Sequence, residues 1–118
     1  MANEFVMHRL AFANFAPTTA TTYTSGVIIP KGAIVKSITT VEGTALAGGT
    51  STKFVVGSQD LTAAIVLASF TGVDTHDLTD TDGLAVTADG ELSITTVGVH
   101  SAGDIDVYVE YYFTPSHT

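Results

Sequence analysis

The size and charge of the chain exclude several classes of protein. It has 118 residues, 12 of them Asp or Glu and four of them Lys or Arg, with no Cys, no Trp and a net charge of −8. This length fits one compact domain over residues 1–118, and the 45% hydrophobic content excludes a disordered chain. The negative charge disfavours nucleic acid as a partner.

The absence of Cys limits the chemistry further. Without thiols the chain has no disulfide framework, no thiolate zinc site and no cysteine nucleophile. Residues 1–9 show no basic segment followed by an apolar one, so we expect no secretion signal. The longest uncharged apolar run, residues 61–70, is well short of the roughly 20 residues that span a bilayer, so we expect no membrane contact.

The composition favours β-structure. The chain contains 20 Thr, 13 Val and 11 Gly, and branched side chains suit strands whereas Gly suits tight turns. Charge is uneven along the chain, because residues 1–53 hold all four Lys and Arg and residues 54–118 hold ten of the acidic residues. This asymmetry is typical of a solvated acidic surface, and it would also suit contact between copies of the chain.

The N-terminal part predicts a strand without a clearly polar face. Along residues 5–15 one side carries Phe5, Met7, Arg9, Ala11, Ala13 and Phe15, and the other carries Val6, His8, Leu10, Phe12 and Asn14. Such a strand is expected to be buried on both faces or to pack against a neighbouring subunit. We therefore interpret residues 1–16 as an N-terminal interface strand.

A loop and two further strands are predicted next. Residues 16–22 form the loop and residues 23–29 the first of the strands. Pro30-Lys31-Gly32 predicts a turn, because Pro fixes its φ angle and Gly permits a positive one. Residues 33–41 predict a strand at the edge of a sheet, since the charge of Lys36 would discourage further pairing.

Two glycine-containing turns predict β-hairpins. Gly48-Gly49 would join a strand ending at Ala47 to one over residues 50–57, and Asp89-Gly90 would form a type I′ turn between residues 84–88 and 91–99. Residues 61–70 fit either a short helical stripe or a doubly buried strand. Their setting among strands favours the strand.

The last predicted strand, residues 105–113, alternates most clearly. Its apolar side carries Ile105, Val107, Val109, Tyr111 and Phe113, and its other side carries Asp106, Tyr108, Glu110 and Tyr112. This pattern is typical of an antiparallel sheet with one face in water. About eight short strands at turn spacing predict an all-β fold, an antiparallel β-sandwich or jelly roll.

An acidic loop over residues 74–83 is the sharpest local feature. It contains Asp74, Asp77, Asp80 and Asp82, and clustered carboxylates are ligands that Ca²⁺ prefers. When the segment is aligned with the calcium-binding pattern of a helix-loop-helix site, the first ligand position is occupied by Leu78, whose side chain has no oxygen ligand to offer. We therefore interpret the segment as a solvated loop in which Asp and Thr form turns, and a cation site there stays open.

No residue pattern predicts catalysis or a bound cofactor. The four His are isolated in sequence; we expect strand surfaces for His8 and His100, a loop for His76 and the C-terminal tail for His117. There is no Gly-x-Ser-x-Gly elbow and no phosphate-loop spacing. We predict a protein that is not an enzyme and that has no cofactor and no metal site.

Two tyrosines suggest a surface that binds another molecule. Tyr108 and Tyr112 fit either a subunit contact or a sugar-stacking platform, because a ring with a polar tip suits a wet interface. The chain has no Trp and only 8% aromatic residues, which favours the subunit contact.

Two segments and the composition carry a family resemblance. The segments are Phe12-Ala13-Asn14-Phe15-Ala16-Pro17-Thr18-Thr19 and Tyr23-Thr24-Ser25-Gly26-Val27-Ile28-Ile29-Pro30-Lys31-Gly32-Ala33-Ile34-Val35. With the Thr-, Ala- and Gly-rich, Cys-free composition, they resemble small β-sandwich virion proteins of tailed bacteriophages, the capsid decoration or cement proteins and related head fibres. The resemblance implies a protein without catalytic residues that sits outside the capsid, often as a trimer, and reinforces contacts between major capsid subunits.

Together with the resemblance, these observations predict a structural virion protein that is assembled in the host cytoplasm, forms a homo-oligomer, expected to be a trimer, and binds the major capsid protein on the outer surface of a phage head. The basic, apolar N-terminal arm would lie against the shell and the acidic C-terminal half would face solvent. The residues expected at subunit or capsid contacts are Phe5, Met7, Arg9, Leu10, Phe12, Phe15, Tyr108 and Tyr112. The alternative is a carbohydrate- or receptor-binding module of a phage fibre that uses Tyr108, Tyr112 and residues 74–82.

Overall fold

A computed structural model describes residues 7–17, 20–80 and 83–113, and these fold into two antiparallel five-stranded sheets. The strands are β1 (Met7–Phe15), β2 (Thr22–Ile29), β3 (Ile34–Ala47), β4 (Ser51–Val56), β5 (Gln59–Asp60), β6 (Ile65–Val66), β7 (Val73–His76), β8 (Leu84–Ala85), β9 (Gly90–Val97) and β10 (Ala102–Phe113), with one 3₁₀ turn at Leu67–Ser69. The expected all-β sandwich is confirmed. No helix in the described ranges has the length and apolar character to cross a membrane.

The strand order is not sequential in either sheet. The first sheet runs β1-β10-β3-β7, with β8 also pairing with β3, and the second runs β2-β9-β4-β5, with β6 also pairing with β4. The first and last strands of the chain are therefore neighbours. β1 pairs with β10 over nine consecutive residues, from Met7 opposite Phe113 to Phe15 opposite Ile105.

The core lies between the two sheets and follows the alternation of their strands. From the first sheet it receives Ile105, Val107 and Val109, which have no exposed surface. From the second it receives Phe54, Leu92 and Ile94, which are equally buried. Leu61 and Phe70 close the core from the segment between β5 and β7. Burial of a side chain of this size contributes about 1.5–3 kcal/mol each.

The predicted turn at residues 30–32 is confirmed. Gly32 has a φ of 90°, and the backbone N–H of Ala33 donates to the carbonyl of Pro30 at 3.1 Å. The strand before it, predicted over residues 23–29, is confirmed as β2.

The prediction that residues 33–41 form an edge strand is wrong. β3 lies inside the first sheet, between β10 on one side and β7 and β8 on the other. The charge of Lys36 is tolerated because the register with β10 shifts there: Ser37 lies opposite Glu110, whereas Val35 lies opposite Tyr111. Lys36 is thus the extra residue of a β-bulge, and it is exposed.

Both predicted hairpins are wrong in the same way. β3 and β4, which flank Gly48-Gly49, lie in different sheets, and so do β8 and β9, which flank Asp89-Gly90. Gly48 and Gly49 do have positive φ angles, of 76° and 70°, but they carry the chain across the sandwich. The Gly-containing pairs predicted that the chain changes direction, but which strands pair depends on how their apolar faces pack in the core.

Gly90 is required for a different reason from the one expected. A type I′ turn needs positive φ angles, and neither Asp89 nor Gly90 has one. Instead, an added Cβ at Gly90 would lie 2.6 Å from the backbone nitrogen of Gly57 and 2.9 Å from its Cα. Gly90 therefore allows two backbones of the second sheet to approach closely.

The prediction of a strand over residues 61–70 is also wrong. Only Ile65–Val66 pair as a strand, and the 3₁₀ turn follows at once. The segment begins where the backbone N–H of Leu61 donates to the carbonyl of Phe54 at 2.8 Å. Its buried ends, Leu61 and Phe70, anchor an irregular connection.

The glycine contacts yield a stability prediction. We expect Gly90→Ala to lower the free energy of unfolding by about 1–3 kcal/mol, because the new methyl group meets backbone that cannot move aside. Gly43→Ala is the matched control, since Gly43 also lacks a positive φ and its added Cβ would lie 3.6 Å from the carbonyl of Asp104, an ordinary contact. It should change stability by less than about 0.5 kcal/mol. Equal losses in urea unfolding would contradict this account.

Candidate interaction surface

The side of the first sheet that faces away from the core forms a continuous surface, which we call the outer face. It consists of His8, Leu10, Phe12 and Asn14 from β1, Asp106, Tyr108, Glu110 and Tyr112 from β10, Ile34, Ser37, Thr39 and Val41 from β3, and Val73 and Thr75 from β7. The register aligns these residues in rows across the strands. One row runs from Phe12 through Tyr108 and Thr39 to Thr75.

Polar side chains tie β1 to β10 at both ends of the outer face. The amide Nδ2 of Asn14 donates to Asp104 at 2.6 Å and to Asp106 at 2.8 Å. At the other end, His8 Nε2 lies 2.7 Å from Glu110 Oε2, and the hydroxyl of Ser37 donates to the same carboxylate at 3.3 Å. The two carboxylates beside Asn14 are thus held together by one amide group.

One aromatic pair lies between these polar ties, and a second includes His8 of the tie itself. The rings of Phe12 and Tyr108 have their centroids 5.2 Å apart, and those of His8 and Tyr112 lie 5.1 Å apart. Both pairs are tilted, an arrangement that aromatic rings favour over a flat stack. These contacts orient the rings along the sheet and leave much of their apolar surface accessible.

Of the nine large apolar side chains that are exposed in the described residues, five lie on the outer face, and the other four are Ile28, Val66, Val97 and Val99. The exposed fractions are 62% for Leu10, 48% for Phe12, 38% for Ile34, 73% for Val73 and 39% for Tyr112. Exposed apolar residues are ordinary when scattered, whereas several on one face of a sheet indicate a contact surface. On the second sheet, Ile28 and Val97 are also exposed, at 54% and 58%.

The structure separates the residues predicted at contacts. Leu10, Phe12, Tyr108 and Tyr112 share the outer face, and Arg9 is exposed on β1. Phe15 is only 3% exposed and packs in the core of its own chain, so its place in the predicted contact set is corrected. The reason is register, because Phe15 follows Ala11 and Ala13 on the inner side of β1. Phe5 and the side chain of Met7 lie outside the described residues.

The expected spatial separation of basic and acidic halves is not observed. β1, from the basic half, lies beside β10, which carries Asp104, Asp106 and Glu110. On the second sheet Lys53 of the basic half pairs with Asp60 of the acidic half at 3.1 Å. Charge asymmetry along the chain therefore becomes a mixed surface in the fold.

A groove of about 390 Å³ lies beside β7 at the far edge of the first sheet. It is lined by Ala63, Ala64, Ile65, Val66, Ser69, Asp74, Thr75, His76 and Asp77. Neither Tyr108 nor Tyr112 lines it, because β3 stands between β10 and β7. The groove that the acidic segment lines therefore does not include the tyrosines that the glycan-binding alternative requires.

His76 and His100 do not lie where they were predicted. His76 lies on β7, largely buried, with Nε2 2.8 Å from the hydroxyl of Thr40 and its ring 4.8 Å from that of Phe70.

His100 is fully buried, and its Nδ1–H donates to the carbonyl of Gly48 at 2.7 Å. Its Nε2 then accepts from the hydroxyl of Thr52 at 2.7 Å. No local sequence signal links either His to its Thr partner. His8 is exposed on a strand as predicted, and His117 lies outside the described residues.

Asp74 is a turn-forming residue, as the loop interpretation expected. Its carboxylate accepts from the backbone N–H and the hydroxyl of Thr71, at 2.7 and 2.8 Å, and the backbone bond above all lowers the pKa of Asp74. Asp74 itself lies on β7 rather than in a loop, and Asp82 lies outside the described residues. Within the described ranges no three His, Asp or Glu side chains are grouped so that they could hold a metal ion.

The two phenylalanines of β1 should respond differently to truncation. Phe15→Ala should lower the free energy of unfolding by about 3–5 kcal/mol, because it leaves a cavity in the core. Phe12→Ala should cost less than about 1.5 kcal/mol, since it removes an exposed ring and one aromatic pair. Chemical denaturation of both variants measures the difference. Similar losses would show that Phe12 is part of the core.

Burial of His76 predicts a pH dependence of stability. Burial lowers its pKa below the ordinary 6.5, although the carboxylates of Asp74 and Asp77 act in the opposite direction. Below pH 6.5 the unfolded chain therefore binds more protons at this site than the folded chain, and stability falls as pH decreases toward the lowered pKa.

The variant His76→Gln should reduce this slope, because its side chain stays neutral. Urea unfolding of both proteins at several pH values between about 7.5 and 5 measures the slopes. Parallel slopes for the variant and the natural chain would contradict the assignment to His76.

Comparison with solved structures places this fold among chains of phage capsids. A chain of the cyanophage Pam1 capsid asymmetric unit matches with a TM-score of 0.64 and 15% identity, covering 97% of this chain and 90% of that one. A chain of the acidic stable capsid structure of Helicobacter pylori bacteriophage KHP30 matches with a TM-score of 0.56 and 14% identity, covering 95% of both chains. No protein-family model and no curated protein matches the sequence. The predicted resemblance to phage-particle β-sandwiches is confirmed at the level of the fold.

Proposed function

We propose that the chain is a non-enzymatic structural protein of a bacteriophage particle, which decorates the outer surface of the head and reinforces it. The observation that carries this proposal is the extent of the fold match. The match covers 97% of this chain and 90% of the Pam1 capsid chain, so little of either chain lies outside the shared sandwich. The chain would join the particle in the host cytoplasm, where heads assemble.

The outer face supports attachment to a shell. It is a sheet surface on which Leu10, Phe12, Ile34 and Tyr112 expose apolar area beside hydrogen-bonded polar groups. Removing such area from water contributes roughly 25 cal/mol per Å², and the flanking polar groups can make hydrogen bonds at the rim of a contact. The partner in this proposal is the major capsid protein.

The charge of the chain supports the outer rather than the inner surface of the head. Packaged nucleic acid fills the interior with phosphate charge, and a chain with a net charge of −8 would be repelled from it. The acidic residues of the outer face, such as Asp106 and Glu110, are hydrogen-bonded within the sheet. They need no basic partner on the shell.

Self-association forms part of this proposal, since a reinforcing protein gains strength by contacting several subunits at once. The resemblance to decoration proteins implies an assembly of three copies. The long, regular edge of β1 favours a contact between two copies.

The test uses phage heads that lack this protein, prepared from a phage in which its gene has been deleted. The full chain should co-sediment with these heads, and head-bound protein should raise the temperature at which the heads release their DNA. The double variant Ile34→Ser/Tyr112→Ser, which alters one row of the outer face, should bind at least about tenfold more weakly.

A matched control alters the opposite side of the sandwich. Ile28→Ser/Val97→Ser removes two comparably exposed apolar residues of the second sheet, and it should bind as the natural chain does. Failure of the natural chain to bind would reject the proposed function. Equal binding by both double variants would reject the outer face as the contact.

A further inference from the structure

The two sheets of the sandwich end in strands of very different regularity. In the second sheet, the register of β2 with β9 breaks between Thr24 and Ile28, and at the opposite edge β5 and β6 have two residues each. In the first sheet, β7 has four residues and β8 has two. Short or bulged strands of this kind prevent unwanted pairing at an edge.

β1 is the exception among the edges that the structure describes. It has nine residues, and its register with β10 contains no shift. No backbone hydrogen bond of β1 in the described chain goes to a strand other than β10. A long, regular and partly apolar edge strand presents a row of free N–H and C=O groups that can pair with another strand.

We infer that the edge of β1 opposite β10 pairs, antiparallel, with the β1 edge of a second copy of this chain. The two first sheets then join into one sheet with β1 next to β1 at its centre. The inference deepens the proposed function, because it names a second copy as one of the partners, and its test needs no phage heads.

The sequence of β1 is self-complementary in one antiparallel register. With Ala11 opposite Ala11 of the second copy, Leu10 lies opposite Phe12 and His8 lies opposite Asn14, so apolar residues meet apolar ones on the outer face. Arg9 then lies opposite the small residue Ala13. Residues directly opposite one another have Cβ atoms about 4.5–5.5 Å apart, which brings Leu10 and Phe12 into contact.

Neighbouring registers are less favourable. A shift by two residues leaves one apolar pair, Leu10 opposite Leu10 or Phe12 opposite Phe12, and places Phe12 opposite His8 or Leu10 opposite Asn14, whereas the register centred on Ala11 has two Leu10–Phe12 pairs. A larger shift places Arg9 opposite Arg9. A shift by one residue would turn the outer face of one copy toward the inner side of the other. The pattern of β1 thus selects the register centred on Ala11.

This pairing closes on itself. A contact of one edge with the same edge of a second copy is two-fold symmetric and uses up both edges, so it yields a dimer. A ring of three subunits joined by strand pairing would need two open edges on each subunit, and the described sheets offer one long edge. The dimer is therefore an alternative to the trimer that the resemblance implies.

The register is tested with a charge design at two exposed positions. In this register, position 10 of each copy lies opposite position 12 of the other. The variant Leu10→Lys/Phe12→Lys therefore creates two lysine–lysine pairs between the copies, and the variant Leu10→Lys/Phe12→Glu creates two lysine–glutamate pairs. Both variants carry Lys at position 10, so their comparison isolates the cross-copy pairs. Circular dichroism and urea unfolding establish that both are folded.

Sedimentation equilibrium of the full chain should give the mass of a dimer. The lysine–glutamate variant should dimerise about tenfold more tightly than the double-lysine variant at low salt, with a smaller difference at high salt. A monomer or trimer mass for the natural chain, or equal dimerisation of the two variants, would overturn the inference. Since the proposed function is judged by co-sedimentation with heads, its failure is separate from these outcomes.

Discussion

The alternation of β10 is the constraint on which the rest of the structure depends. Its inward residues Ile105, Val107 and Val109 are fully buried, and it pairs with β1 on one side and β3 on the other. Because side chains alternate with period two, a slip of one residue would bury Asp106 and Glu110 and expose the core. The same register sends Ala11, Ala13 and Phe15 of β1 inward, and it sends Leu10 and Phe12 outward. The apolar outer face therefore arises from the same pairing that forms the core.

Close backbone contacts and buried polar pairs within the sheets and their connections reinforce the sandwich that supports that face. Gly90 lies against Gly57, and His100 links the Gly48 carbonyl to the Thr52 hydroxyl. His76 occupies a similar position beside Thr40. Buried polar groups are stabilising only when they are hydrogen-bonded, and each of these rings has such a partner. The two buried histidines, His76 and His100, therefore have a structural explanation in this fold.

The distribution of charge shows how a sequence feature can disappear in the fold. The N-terminal basic half and the C-terminal acidic half are distinct along the chain, yet β1 and β10 are adjacent, and Asn14 contacts both Asp104 and Asp106. The resulting outer face carries exposed apolar side chains and hydrogen-bonded polar groups side by side. A surface of this kind suits attachment to another protein better than attachment to a charged polymer.

The sequence alone determined the class of fold, because period-two alternation over residues 105–113 and the abundance of Thr and Val leave little alternative to an antiparallel sandwich. It also determined the turn at residues 30–32, where Pro and Gly restrict the backbone locally. Only the tertiary structure decided which strands pair, since Gly48-Gly49 and Asp89-Gly90 specify a change of direction and not a sheet. It likewise decided that Phe15 is core while Phe12 is surface, and that His76 and His100 are buried beside threonines, because each depends on residues far away in the chain.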